Sequence, residues 1–319
     1  MAFRHHLWQL GLGVAEAMDT AQRGMGLDWE MARELIVRTA GEAGRTGSPA
    51  VYGASTDQLA EGATATVPAV IEAYRQQVEL IESVGGRAIL MASRALASVA
   101  MSAEDYLEVY GTIISGAERP VMIHWLGEVF DPALAGYWGS HDPWSAVETL
   151  LTLCAAHPDR IDGVKISLLD DNLEKSMRAR LPGTVRTYTG DDFNFVDMIL
   201  GDEEGHSDAL LGVLDPIAPV ASAAFEALDA GDRGAFRALL EPTIPFARHL
   251  FGAPTYHYKT GITFLAFLNG HQDHFRMLNG AENSRSMAHL SRLLVLADEA
   301  ALLVDPDLAL QRMSHLLSM

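Results

Sequence analysis

The amino-acid sequence predicts an α/β protein, a closed (β/α)8 barrel followed by a C-terminal helical extension. Short apolar runs rich in small and β-branched residues alternate with segments of helical period through the first 230 residues. From Asp232 onward the strand pattern stops and every periodic segment is helical. We therefore expect a barrel domain over residues 1–230 and a helical extension over residues 231–319 that packs on the barrel.

Seven apolar runs are predicted as strands, in chain order 12–17, 50–53, 88–92, 121–125, 163–168, 185–189 and 209–214. Nearly continuous apolar strands are typical of a parallel sheet covered by helices. The chain opens on a predicted helix, Phe3 to Leu10, of the kind that follows a first strand, so we expect the barrel's first strand to be missing from this sequence. A doubly wound sheet is the alternative, but Gly11 and Gly13 precede the first strand and lack a third glycine.

Capping residues mark the starts of the predicted helices. The caps are Asp28, Thr66, a capping box of Ser102 with Asp105, and the dipeptides Asp142-Pro143, Asp215-Pro216 and Asp305-Pro306. The helices of the C-terminal extension are predicted over 233–250, 257–269, 284–302 and 306–317.

Composition restricts the partners and the compartment. The formal net charge is −19 and no basic stripe interrupts it, so the sequence predicts no nucleic-acid binding. There is no signal-peptide pattern and no apolar stretch long enough to span a membrane. With Cys154 as the single cysteine, no intramolecular disulfide can form, and we expect a cytoplasmic protein.

Lys165 is the first candidate for a catalytic residue. It interrupts the apolar strand that follows Asp162. Burial of a charged amine costs free energy, so a lysine at this position is expected to have a structural or functional role. In barrels of this type reactive groups stand at the carboxyl ends of the strands, where a neutral amine can attack a carbonyl carbon and form an imine. The alternative is a structural lysine that pairs with Asp191 or Asp192 of the next strand.

His124 ends the strand before that of Lys165. Because an imidazole titrates near neutral pH, His124 is a candidate for proton transfer, although a histidine on an apolar strand is often only a hydrogen-bonded core residue.

A resemblance to a known family rests on three parts of the sequence. The strand Gly-Val-Lys165-Ile followed by Tyr188-Thr-Gly-Asp-Asp192 resembles the dihydrodipicolinate synthase and N-acetylneuraminate lyase superfamily of class I aldolases. The segments Gly11 to Gln22 and Tyr256 to Gly270 resemble its DUF993 branch. The resemblance implies a TIM barrel with a C-terminal helical bundle, homo-oligomers, a small carbonyl substrate, no organic cofactor, and Lys165 as the Schiff-base lysine.

This chain departs from the superfamily at two places. His124 stands where the superfamily has a proton-relaying tyrosine, and in the segment Met18 to Gln22 only Thr20 can replace the pair of threonines that holds a substrate carboxylate. Asp19 and Glu16 would repel a 2-oxo acid unless one is protonated or pairs with Arg23, so we expect a neutral, sugar-derived carbonyl compound instead of pyruvate. The residues expected to shape the substrate site are Glu16, Asp19, Thr20, Tyr52, Thr189, Asp191 and Asp192.

Two other functions are compatible with the same strand ends. Glu16, His124 and Asp191 or Asp192 could hold a divalent metal in a sugar isomerase or epimerase, with Lys165 as a proton carrier. A barrel that binds a ligand without turnover is the third possibility, because fold alone does not imply catalysis.

Overall fold

The computed structural model of the protein describes residues 1–59 and 65–318. The chain forms two compact units. One consists of Gly13–Leu210 and contains the sheet, and the other combines Met1–Leu12 with Leu211–Met319. The predicted division at residue 230 stays a prediction.

All seven predicted strands are present, and they form one parallel sheet in chain order. The strands are β1 Val14–Glu16, β2 Ala50–Ala54, β3 Ala88–Leu90, β4 Val121–Leu126, β5 Ile161–Ser167, β6 Arg186–Thr189 and β7 Asp208–Ala209. This order confirms the α/β fold class, since a parallel neighbour in chain order requires a helical crossover after each strand. The strand predicted over 209–214 is shorter than expected because Gly212–Leu214 form a 3-10 turn.

Helices follow the strands of the first unit and make up most of the second. They are α1 Ala2–Gln9, α2 Trp29–Thr46, α3 Val67–Ser83, α4 Arg94–Val99, α5 Ala103–Gly116, α6 Pro143–Ala156, α7 Asp171–Arg178, α8 Phe195–Leu200, α9 Ala218–Asp229, α10 Arg233–Leu240, α11 Ile244–Leu250, α12 Tyr258–Leu268, α13 Met287–Glu299 and α14 Pro306–Leu317. Among the residues described, no helix is both long and apolar enough to cross a membrane. The cytoplasmic location stays a prediction.

Most predicted helix starts are confirmed by their cap geometry. The carboxylate of Asp28 accepts a hydrogen bond from the Met31 amide at 2.8 Å, and that of Asp305 accepts one from the Leu308 amide at 3.0 Å. The start predicted at Asp215-Pro216 is wrong. Asp215 has helical backbone angles at the end of a 3-10 turn instead of the extended backbone of a cap, so α9 begins only at Ala218.

The face of the sheet that does not contact the helices carries its own buried cluster. Its members come from several strands and from the loop after β1, and they are Met18, Ile89, Met91, Met122 and Tyr188. Because successive residues of a strand point to opposite faces, every second residue of β4, β5 and β6 faces this interior.

Candidate active site

Lys165 lies in the middle of β5, on the interior face of the sheet. It is opposite His124 on β4 and Tyr188 on β6, so these three side chains form a row across neighbouring strands. Tyr188 belongs to the interior cluster, and this places the whole row on the interior face. The structure thus brings together the amine and the imidazole that the sequence singles out.

The amine of Lys165 is buried without an acidic partner. The residue is 6% exposed, and within residues 1–59 and 65–318 its Nζ atom forms no ion pair with Asp191, Asp192 or another carboxylate. The chain contains only three lysines, of which Lys175 is paired with Asp171 on its own helix at 2.6 Å. The third lysine, Lys259, is buried as well, at 5% exposure, and its Nζ atom lies over the ring of Tyr258.

His124 is fully buried and makes one hydrogen bond. Its Nε2 atom lies 3.0 Å from Oγ of Ser167, which follows Lys165 by two residues on the same face of β5. Its Nδ1 atom has no partner in the described part of the chain. Burial, followed by the charge of Lys165, lowers the pKa of His124 to about 3, although the charge of Asp19 opposes both. The imidazole is therefore neutral at physiological pH, with one ring nitrogen available for a ligand.

Gly190, at the end of β6, makes room for this arrangement. A β-carbon at residue 190 would lie 2.0 Å from Oγ of Ser167 and 3.0 Å from Cε of Lys165. Only glycine leaves the two side chains where they are. Ser167 and Gly190 are not among the site residues expected from the sequence, although the two-residue periodicity of β5 places Ser167 on the face of Lys165.

Tyr188 is the third member of the row, but its hydroxyl is occupied. It donates a hydrogen bond of 2.7 Å to the carboxylate of Asp162 at the start of β5. Burial and this hydrogen bond raise the pKa of Tyr188. The phenol therefore stays protonated and points toward the amino end of β5, away from the end where reactive groups of a barrel usually lie.

Three of the residues expected to shape the substrate site lie on the other face of the sheet. Glu16 accepts a hydrogen bond from Thr39 of α2 at 2.6 Å. Thr189 donates one to Glu174 of α7 at 3.1 Å. Tyr52 alternates with the interior residue Val51, and burial, followed by the charge of Glu16, raises its pKa to about 12. The structure does not bring these three together with Lys165, because they are one residue out of phase with the interior positions.

The acidic turn after β6, which contains Asp191 and Asp192, is stabilised by hydrogen bonds within the turn. Asp191 accepts hydrogen bonds from the amides of Phe193 and Asn194 at 2.9 and 3.0 Å, and from the side chain of Asn194 at 2.9 Å. Burial raises the pKa of Asp191 despite these bonds. Asp192 is buried beside it.

The turn after β1 carries Asp19 and Thr20 in a short 3-10 helix, Asp19–Ala21. Asp19 is near enough to His124 for its charge to act on the imidazole pKa. The guanidinium of Arg23 binds both carboxylate oxygens of Asp57, at 2.6 and 2.5 Å. This buried ion pair ties the loops after β1 and β2 together, and the sequence alone did not reveal it.

The ligand set of the metal hypothesis is not assembled. Glu16 faces α2, Asp191 caps its own turn and His124 faces the interior. Among the residues described, no group of three or more histidine, cysteine, aspartate or glutamate side chains is placed to hold a metal ion.

Several solved structures of the dihydrodipicolinate synthase family have a similar fold. A putative dihydrodipicolinate synthetase from Pseudomonas aeruginosa superimposes with a TM-score of 0.72 at 16% identity, over 94% of this chain and 91% of that one. YagE of Escherichia coli, described as a prophage protein of the dihydrodipicolinic acid synthase family in complex with pyruvate, gives 0.73 at 16% identity, over 94% and 91%. Dihydrodipicolinate synthase from Thermotoga maritima gives 0.71 at 14% identity, over 95% and 92%. No curated protein matches the chain.

The chain shares the α/β fold of these dihydrodipicolinate synthase family structures, with seven parallel strands in chain order and a lysine on the fifth. The chain belongs to the family described as "Protein of unknown function (DUF993)", whose model matches residues 1–319. The family and fold expected from the sequence are thus confirmed. At identities of 14–16%, the similarity to these structures shows the fold alone. The expected homo-oligomer stays a prediction.

Proposed function

We propose that this protein is a lyase of the aldolase type that forms a Schiff base between Nζ of Lys165 and the carbonyl carbon of a small, neutral, hydroxylated substrate. The observation that carries the proposal is a buried amine with no anionic partner in the described part of the chain, next to a neutral imidazole. An amine paired with a carboxylate would be held in its protonated, unreactive form. Without such a pair, the amine of Lys165 is not tied up in an ion pair and can serve as the nucleophile.

The reaction follows from the chemistry of that amine. The deprotonated Nζ atom attacks the carbonyl carbon, the carbonyl oxygen takes up two protons and leaves as water, and a protonated imine remains. The imine withdraws the electron pair of the carbon–carbon bond next to it when that bond breaks, and it returns the pair when the bond forms. Hydrolysis of the imine releases the product and restores the lysine.

His124 is the group best placed to move protons in these steps. The hydrogen bond to Ser167 orients its ring, and its Nδ1 atom is available to a substrate hydroxyl. Because the pKa of His124 is low, a proton that its imidazole accepts is quickly donated to the next group.

Charge around the strand ends favours a neutral substrate. Arg23, which follows β1, is paired with Asp57, and Arg94, which follows β3, is paired with Asp131 at 2.6 Å. Asp19 adds negative potential near His124. A 2-oxo acid would need a cation for its carboxylate, whereas hydroxyl groups can donate to carboxylates.

Borohydride trapping tests the proposal. The protein is incubated with pyruvate, and separately with neutral hydroxyaldehydes and hydroxyketones, reduced with borohydride, and analysed by intact mass and peptide mapping. We expect a stable adduct on Lys165 with one or more neutral compounds, and none or far less with pyruvate. With only three lysines in the chain, the modified residue is assigned without ambiguity.

Two matched variants control this experiment. Lys165→Arg keeps a positive charge but cannot form an imine, so the adduct should vanish. Lys175→Arg, in a partly exposed ion pair on α7, should form as much adduct as the unmodified protein. An adduct that survives Lys165→Arg, or the lack of any adduct over the whole panel, would refute the Schiff-base mechanism. An adduct with pyruvate alone would refute only the substrate class.

A further inference from the structure

Arg285, in the helical unit, is a buried cation that forms no ion pair with any carboxylate of the described residues. It is 9% exposed, and its Nη2 atom donates hydrogen bonds to the backbone oxygens of Gly252 and Pro254 at 2.7 and 3.0 Å. Burial lowers its pKa, and no carboxylate of the described residues contributes to that shift. The nearest acid in sequence, Glu282, is occupied by Arg276 and by the amide of Met277, at 3.2 and 3.0 Å. In a chain of net charge −19, an arginine left without an acid is unexpected.

Unused hydrogen-bonding atoms accompany this charge. The Nε atom of Arg285, Nδ1 of His257 and Nε2 of His289 are all buried without a partner in the described part of the chain. A buried polar atom without a hydrogen-bond partner costs free energy. Three such atoms, one on Arg285 and two on the histidines, would be stabilised by a ligand that forms hydrogen bonds with them.

The three residues are close enough to interact electrostatically. Burial, and then the charge of Arg285, lowers the pKa of His257. Burial lowers the pKa of His289 to about 4, with His249 and Arg285 as further causes. The ring of His289 stacks on that of His249 at 4.1 Å, and Nε2 of His249 is hydrogen-bonded to the backbone oxygen of His289 at 3.0 Å, which fixes this side of the cluster.

The cluster adjoins the amino end of α13. Arg285 immediately precedes Ser286, whose hydroxyl caps the helix by accepting a hydrogen bond from the His289 amide at 3.2 Å. The helix has 13 residues, and its first residue, Met287, is exposed at 39%. The positive end of the helix dipole and unpaired first-turn amides favour an anion at this position, and the exposed first turn allows one to enter from solvent.

We propose that Arg285, His257, His289 and the amino end of α13 form a binding site for a small oxyanion, a phosphoryl or carboxylate group. The planar guanidinium matches the geometry of both groups, and it accepts them as charge-assisted partners. The inference is independent of the aldolase chemistry proposed for Lys165, since all these residues belong to the helical unit.

An NMR titration of the whole protein tests this site. Protein labelled with 15N-histidine is titrated with sodium phosphate at pH 7 against sodium chloride of equal ionic strength, and with sodium acetate in a parallel series. We expect saturable shifts of the His289 and His257 ring signals toward the protonated form, because an anion compensates the charge of Arg285. Saturation with phosphate identifies a phosphoryl site and saturation with acetate a carboxylate site. Either supports the proposal.

Variants separate the site from a general salt effect. Arg285→Gln should weaken oxyanion binding about tenfold or more, since it removes charge-assisted hydrogen bonds. Arg292→Gln, an exposed arginine of the same helix, should leave binding unchanged. If Arg285→Gln does not fold, His289→Gln takes its place and should also weaken binding. Shifts that do not saturate, that chloride reproduces, or that persist in Arg285→Gln would overturn the proposal.

Discussion

Lys165 passes so close to Gly190 that a β-carbon on residue 190 would lie 3.0 Å from Cε of the lysine. The same β-carbon would lie 2.0 Å from Oγ of Ser167, the partner of His124. The lack of a side chain at Gly190, directly after β6, therefore leaves room for the amine of Lys165 and for the hydroxyl of Ser167, which orients the imidazole.

Gly190→Ala is expected to disturb the site more than the fold. The methyl group must displace Ser167, Lys165 and the backbone oxygen of Ile166, which would lie 2.8 Å from it, at a cost of roughly 1–3 kcal/mol in the free energy of unfolding. Borohydride trapping should then give at least several-fold less adduct in a protein that still folds. The control is Gly183→Ala, because a β-carbon at residue 183 has no atom within 4 Å. Equal adduct in both variants would show that the spacing around Lys165 is not needed.

The neutral state of His124 predicts a specific dependence of stability on pH. Its pKa is about 3 in the folded protein and near 6.5 in the unfolded chain. Below pH 6.5 the unfolded chain binds a proton that the folded protein does not, so this contribution to stability is lost as pH falls from 6.5 toward 3. At pH 5 the loss amounts to about 2 kcal/mol.

Urea unfolding at pH 7 and pH 5 measures this effect. His124→Gln cannot titrate, so the difference in stability between the natural protein and this variant should shrink by about 2 kcal/mol from pH 7 to pH 5. His141→Gln, at an exposed position, should not change the dependence on pH. A constant difference between the natural protein and His124→Gln would mean that His124 is protonated in the folded state.

Much of the fold could be predicted because its signals are local. The apolar strands, and caps such as Asp28 and Asp305, depend on residues adjacent in sequence, and the structure has them where they were expected. The helix start predicted at Asp215 was wrong because the preceding 3-10 turn gives this residue helical backbone angles. The pattern of residue types does not predict that turn.

The site was predicted only in part. Lys165 and His124 stand out because each places a polar group on an apolar strand. Glu16 and Thr189 lie at strand ends too, but they face α2 and α7, because a shift of one residue along a strand exchanges the two faces. The pairing of Arg23 with Asp57 depends on how two loops meet, and that information is in the tertiary structure.

Glu174 on α7 predicts the opposite dependence on pH from His124. It is 1% exposed, its Oε2 atom accepts the hydrogen bond from Thr189, and its Oε1 atom has no partner in the described part of the chain. Burial, with the charge of Asp191 as a further cause, raises its pKa to about 8, although the hydroxyl of Ser207 opposes this. The carboxyl group is therefore protonated at neutral pH, whereas in the unfolded chain it is ionised above its ordinary pKa.

Because the folded protein holds a proton that the unfolded chain releases, Glu174 removes stability as pH rises from about 4.5 to about 8. Glu174→Gln keeps the shape and hydrogen-bonding capacity of the protonated acid but cannot ionise. The free energy of unfolding of Glu174→Gln minus that of the natural protein should increase by up to about 4 kcal/mol from pH 5 to pH 8, as measured by urea unfolding at both pH values. Glu203→Gln, in the exposed loop after α8, serves as the control and should follow the natural protein. If Glu174→Gln also follows it, Glu174 is ionised in the folded state and has a partner for its charge.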